Sequence, residues 1–172
     1  MSRLSREINE FNKYFDPHLH IEAEFTGVIM IVKMYYGNIM VARLQCVLDG
    51  SKLFIELGRT NASYRRRGFG TQIRAIVLWC AKRAGYKRAY QDSMFMANSN
   101  TSRSRPPSAY IMNKLGFRVA NSNSNSNSNS NSNSNSNSNS NSNSNSNSTE
   151  HRVLNLNRNI PGVNAVIRKI ME

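Results

Sequence analysis

The chain has 172 residues, 39% of them hydrophobic, and a formal net charge of +13, which allows one domain with a sizeable core. No uninterrupted apolar stretch reaches the length of a membrane span or a secretory signal core, so an intracellular, cytoplasmic chain without membrane contact is expected. Cys46 and Cys80 each lie inside an apolar run and read as reduced, buried thiols, which excludes a disulfide framework.

Leu4, Ile8, Phe11 and Phe15 recur at helical spacing, predicting an amphipathic helix that Asp16-Pro17 ends. From Leu19 to Phe25 and from Gly27 to Tyr36 the residues turn β-branched and aromatic. The strand pattern resumes from Ile39 to Leu48 after Tyr36-Gly37-Asn38, and from Lys52 to Arg59 after Asp49-Gly50. The first half therefore reads as an antiparallel meander. Next, Ile73, Ile76, Val77, Cys80 and Ala84 share one face of a helix from Thr71 to Ala84, with Gly85 at its C-terminal cap. Arg88 to Met96 returns to strand character, which makes a strand-helix-strand crossover with a parallel strand pair. Ligands of such units gather at the carboxyl ends of the strands.

Asn98 to Arg105 is a polar loop, and Pro106-Pro107 opens a short helix that Gly116 closes. Phe117 to Val119 and Val153 to Leu156 read as the last two strands. Between them, Asn121 to Ser148 alternates Asn and Ser for 28 residues. With no apolar side chain to bury, this run is expected to be disordered, an expanded loop inside a hairpin of a single domain over residues 1–172. Each doubling of loop length adds only about 0.6 kcal/mol of closure entropy, so the fold tolerates the expansion.

The charge is concentrated. Met1 to Glu56 holds 6 basic and 7 acidic residues, whereas Leu57 to Val119 holds 13 and 1, a local charge of +12. Such a field attracts polyanions and suits a phosphorylated cofactor and a nucleic acid equally well.

Arg65-Arg66-Arg67-Gly68-Phe69-Gly70 stands between the strand ending near Thr60 and the helix beginning at Thr71. Glycines spaced Gly-x-Gly at a helix mouth let unpaired backbone N–H groups converge on a polyanion, and the helix dipole adds positive charge there. The pattern Arg65-x-x-Gly68-x-Gly70, preceded by Tyr64 and followed downstream by Lys114-Leu115-Gly116-Phe117, resembles the GNAT superfamily of acetyl-CoA-dependent N-acetyltransferases. The likeness runs from about Phe25 to Val119. It implies an α/β fold with a mixed, largely antiparallel sheet, one splayed parallel strand pair and flanking helices. It also implies acetyl-CoA as co-substrate, held by Thr60, Arg65, Arg66, Arg67, Gly68, Phe69, Gly70 and Thr71. Main-chain groups from Leu57 to Thr60 would position the thioester for direct attack by an amine.

The chain departs from the family's pattern in three places. The family's short helix usually carries a tyrosine four residues before the glycine of its glycine-phenylalanine pair, where this chain has Met112. Tyr110 lies about 200° from that position around a helix, so it serves as the acid for the leaving thiolate only on a rotated or irregular helix. A customary asparagine is replaced by Arg105, with Asn98 and Asn100 as substitutes. The amino end offers one helix where the family has more, which leaves the acceptor side open or completed by a second subunit. Glu56, on the strand entering the site, is the candidate general base, and Glu22 and Glu24 are the other acids available to a basic acceptor. The acceptor is an amine on a protein, peptide or small molecule. The alternative reading is a degenerate acetyltransferase fold or a basic nucleic-acid-binding module, for which Arg103-Ser104-Arg105 speaks and the lack of a nucleic-acid motif speaks against. His18, His20 and His151 lack partners at ligand spacing, so no metal is expected.

Overall fold

Helix α1 (Arg3–Phe11) starts at Ser2, whose hydroxyl accepts a hydrogen bond from the Ser5 amide at 3.1 Å. It buries Leu4, Ile8 and Phe11 and stops at Phe11, although the apolar stripe continues to Phe15. Asn12 is the reason. Its Oδ1 accepts from the Ile21 amide at 2.7 Å and its Nδ2 donates to the Ile21 carbonyl at 2.9 Å, so the side chain acts as a strand partner. The chain then continues as a single tight turn over Asn12–Tyr14.

The meander follows in strands β1 (Leu19–Thr26), β2 (Ile29–Tyr36), β3 (Ile39–Asp49) and β4 (Lys52–Thr60), each antiparallel to the next. Alternate residues Met30, Val32 and Met34 of β2 are fully buried, as β-period patterning requires. Helix α2 (Phe69–Arg83) crosses back over the sheet to strand β5 (Arg88–Phe95), which lies parallel to β4. Helix α3 (Pro107–Leu115), strand β6 (Arg118–Val119), strand β7 (Ser148–Asn155) and helix α4 (Pro161–Met171) complete the chain. The seven strands form one sheet in the order β1-β2-β3-β4-β5-β7-β6, whose interior pairings are antiparallel except β4 with β5. This computed structural model describes residues 2–95, 107–120 and 148–172. The expected loop from Asn98 to Arg105 and the Asn-Ser run up to residue 147 lie outside the described residues, with β6 before that run and β7, which begins at its last residue Ser148, after it.

Two irregularities shape the middle of the sheet. Gln45 pairs with Leu57 while Cys46 pairs with Ile55, so Glu56 is an extra residue, a β-bulge that bends β4. The parallel pairing of β4 with β5 runs from Lys52↔Arg88 to Ile55↔Gln91 and ends there. Beyond that point the two strands part, leaving Leu57 to Thr60 paired to β3 on one side only.

Helix α2 packs on the sheet through Ile73, Ile76, Val77 and Cys80, all buried, and Gly85 ends it in the left-handed conformation at φ +94°. The thiols of Cys46 and Cys80 are free and buried. Burial pushes Cys46 up to about 12 and raises Cys80 as well, which makes both poor nucleophiles. Helix α4 lies beyond the elements read from the sequence. Val163 and Ile167 bury its inner face, and Gly162 admits a close approach, since a Cβ there would sit 2.1 Å from the Lys114 carbonyl oxygen. Among the described residues, no helix is long and apolar enough to cross a membrane.

Candidate functional site

The chain leaves β4 at Thr60 and makes a tight turn over Ala62–Tyr64, capped by Asn61, whose Oδ1 accepts from the Ser63 amide at 3.1 Å. Two left-handed residues follow, Arg66 at φ +63° and Gly68 at φ +90°, the second serving as N-cap of α2. A non-glycine residue in this region carries backbone strain, and such residues collect at ligand-binding turns. Left-handed residues alternating with others turn successive N–H groups toward one concave side.

Hydrogen-bond accounting shows what that side offers. The Arg65 amide donates to the Ala62 carbonyl at 3.4 Å, and the Thr71 amide donates to Gly68 at 2.9 Å. Among the described residues, no group accepts from the five amides between them, Arg66 to Gly70. The first turn of α2 carries neither a capping side chain nor an acidic residue, so its positive dipole end is uncompensated. Gly70 has a steric reason as well, since a Cβ there would lie 2.9 Å from the Thr60 hydroxyl.

Four of these five residues, Arg66, Gly68, Phe69 and Gly70, line a cleft of ≈ 1040 Å³ bounded by β4 from Gly58 to Thr60, by the loop, by the first turns of α2 and by one face of α3. Among the described residues five cations line it: Arg59, Arg65, Arg66, Arg74 and Lys114. Among the described residues no carboxylate does. A concave cationic surface with low-dielectric walls concentrates anions. Of the residues singled out from the sequence, Thr60, Arg65, Arg66, Gly68, Phe69, Gly70, Thr71 and Tyr110 all meet here. Arg67 does not line the cleft. Its guanidinium lies over the Tyr64 ring, 5.2 Å from the centroid, and that ring in turn meets Phe69 edge-on at 6.0 Å, which braces the loop from behind.

Helix α3 settles which of its side chains faces the cleft. Ala109, Met112 and Leu115, three residues apart, are buried, whereas Tyr110, Ile111 and Lys114 border the cleft, with Tyr110 69% exposed. The helix is regular but turned so that position 112 enters the core and position 110 the cleft. Rotation of a helix about its own axis is set by which face packs, and the apolar stripe of α3 decided it.

Glu56 occupies the bulge of β4. It is exposed, accepts from Gln45 Nε2 at 3.2 Å, and stands outside the lining of the cleft. Glu22 and Glu24 do not gather there either. Glu24 pairs with Lys33 at 2.5 Å and Glu22 with His20 at 3.7 Å. His20 also stacks on Tyr35, and among the described residues no cluster of three ligating side chains could hold a metal ion.

Sequence reasoning gave no site role to the side chains of Arg59, Ile111 and Lys114 or, above all, to Arg74. Arg74 is 5% exposed, its Nη1 donates to the Gly70 carbonyl at 2.8 Å, and its Nε donates to Gln91 Oε1 on β5 at 3.3 Å. Burial pulls its guanidinium below the usual arginine value. The signal was an arginine embedded in the apolar run from Ile73 to Leu78.

No protein-family model and no curated protein sequence matches the chain. Solved structures match its fold. The ribosomal-protein-S18-alanine N-acetyltransferase of Escherichia coli superposes with a TM-score of 0.54 at 10% identity, over 77% of this chain and 72% of that one. Nourseothricin acetyltransferase gives 0.50 at 11% identity, over 76% and 66%. A GNAT family acetyltransferase from Elizabethkingia anophelis, solved with acetyl-CoA bound, gives 0.50 at 15% identity, over 61% and 79%. The largely antiparallel sheet with one parallel pair and flanking helices is the fold of these acetyltransferases.

Proposed function

We propose that this chain binds an acyl-coenzyme A, in the simplest case acetyl-CoA, and transfers the acyl group to an amine by direct attack. The observation that carries the reading is the row of unbonded amides from Arg66 to Gly70, opening into a cleft where β4 and β5 part. These amides would hold the pyrophosphate, and the guanidinium groups of Arg65 and Arg66 would add charge-assisted hydrogen bonds to phosphate oxygens. Thr60, Phe69 and Thr71 would shape the same pocket. Arg67 would act through the Tyr64 ring, keeping the loop in place.

When bound, the coenzyme supplies an activated acyl carbon. The free edge of β4 from Leu57 to Thr60 offers main-chain N–H and C=O groups that would align this arm, and an N–H there would steady the oxyanion. The Tyr110 hydroxyl, facing the cleft, would return a proton to the leaving thiolate. Glu56, at the exposed bulge, would take the proton of the attacking ammonium through water, because it does not line the cleft itself. The fold of acetyltransferases supports the reaction class. The acceptor is an amine on a protein, peptide or small molecule.

Calorimetric titration with CoA tests the reading. Wild-type protein should bind CoA, dephospho-CoA should bind more weakly, and Gly70→Asp should abolish binding. Steeply salt-dependent binding of short nucleic acids without affinity for CoA would replace the reading with the nucleic-acid alternative.

A further inference from the structure

The sheet has two faces, and the helices use one of them. All four helices pack apolar side chains into one core together with inward residues of the strands, such as Met30, Cys46, Leu53, Ile55, Ala89 and Leu154. The outward residues form a different pattern. Strand register places Ile29 of β2 beside Val47 of β3, Val47 beside Phe54 of β4, Phe54 beside Tyr90 of β5 and Tyr90 beside Val153 of β7. Five apolar side chains therefore stand in one row across five neighbouring strands, and among the described residues the row takes no part in the core. The Phe54 and Tyr90 rings stack in its middle, 4.9 Å apart and 14° from parallel. Polar residues close both ends, Thr26 of β1 next to Ile29 and Arg118 of β6 next to Val153.

A contiguous apolar row on a sheet face marks an interaction surface, unlike apolar residues exposed singly. Residues 96–106 and 121–147 are too poor in apolar side chains to cover it, offering Met96, Ala97 and Pro106. A second copy of the chain matches it, because the row is self-complementary about its middle. Strand β4 is fourth of the seven in the sheet. A two-fold axis running along β4 at Phe54 lays Phe54 on Phe54, Val47 of one copy on Tyr90 of the other, Ile29 on Val153 and Thr26 on Arg118. The charges agree with that axis. Toward the Asp49-Gly50 turn, the next outward residues in register are Asp49, Lys52 and Arg88. The same axis lays Asp49 of each copy on Arg88 of the other, with Lys52, 3.9 Å from its own Asp49, between them. An axis at right angles would instead lay Arg118 on Arg118. The size also fits. Six strands of eight or more residues give the face roughly 29 Å by 26 Å, about 750 Å², close to the roughly 800 Å² per partner of a stable interface.

We propose that the outward face of the sheet binds a second copy of this chain, through a two-fold axis along β4, to form a closed dimer. Glu56 and Asp92 are the next outward residues beyond Phe54 and Tyr90, where the pairing of β4 with β5 ends. On the transferase reading above, the partner copy stands beside the proposed base Glu56 and bounds the side from which an amine arrives.

Sedimentation equilibrium of the whole chain tests the dimer without CoA, so failure here leaves the acyl-transfer reading standing, and failure of CoA binding leaves the dimer standing. Wild type should sediment at twice the 19.5 kDa of one chain, with a dissociation constant of about 1 μM. Phe54→Arg, which brings two guanidinium groups together at the axis, should weaken association about 100-fold. Asp49→Arg and Arg88→Asp should each weaken it about 10-fold, and the two together should restore it. A chain that stays monomeric up to about 100 μM would overturn the proposal. A dimer indifferent to Phe54→Arg would overturn the face, and a charge exchange without restoration would overturn the axis. Mass that rises without limit would overturn the closed pair. Should Phe54→Arg fail to fold, the exchange at the exposed residues Asp49 and Arg88 decides.

Discussion

Arg74 and Arg152 are buried alike, each 5% exposed, in opposite electrical surroundings. Arg152, on β7, donates from Nε and Nη2 to Glu150 Oε2 at 3.1 and 2.7 Å and from Nη1 to Asn113 of α3. Its charge is matched, and the network ties the last long strand to the short helix. Among the described residues Arg74 hydrogen-bonds only to a carbonyl and an amide oxygen, and it lines the cleft. The first arginine has its charge matched within the protein, and the second pairs with no carboxylate among the described residues. The contrast follows the sheet: it closes where β7 meets its neighbours and opens where β4 and β5 part.

The sharpest way to break this comparison is to remove each charge in turn. Arg152→Met strands a half-buried carboxylate and should cost about 3 kcal/mol in urea unfolding. Arg74→Met removes an unmatched buried charge and should fall within about 1 kcal/mol of wild type, or stabilise. Equal losses would erase the distinction. Helix α3 repeats the contrast within one turn: Tyr110→Phe should lower kcat about 100-fold with stability unchanged, as loss of a general acid does. Met112→Ala should instead cost about 3 kcal/mol of stability through a core cavity.

A smaller effect isolates the fit of Arg74 itself. Gly58→Ala should destabilise by about 2 kcal/mol because its Cβ meets Nη2, and the loss should largely vanish in the double variant with Arg74→Met. Additive losses would mean that the guanidinium does not occupy that space. The smallest effect is the pH dependence of Cys46, a neighbour of Arg74 on the core side. Its thiol moves from 9.0 to about 12 on folding, so its stabilising contribution is complete below about pH 9 and lost as pH rises through 12. At pH 10 the urea stability should be lower than at pH 8, and Cys46→Ala should show less of this decline.

The meander, the crossover helix and the anion loop were legible because each rests on local chemistry. β-Branched runs, Asp49-Gly50 and the Gly68-Phe69-Gly70 spacing all act within a few residues. Helix α4 was equally readable from Pro161 and the spacing of Val163, Val166, Ile167 and Ile170, and went unread. Other features depend on partners distant in sequence. The bulge at Glu56 exists only in register with Gln45 and Cys46, and it leaves the proposed base on open surface. The early end of α1 needed Ile21 to receive Asn12. The rotation of α3 that exposes Tyr110 follows from what Met112 and Leu115 pack against, and the place of Arg74 required knowing where β4 and β5 part.

Backbone amide chemical shifts during a titration with CoA test the anion cradle most directly. The amides of Arg66, Arg67, Gly68, Phe69 and Gly70 should exchange freely in the unliganded protein, then shift together and become protected as CoA binds. Amides already protected without ligand, or unmoved at saturating CoA, would contradict the account.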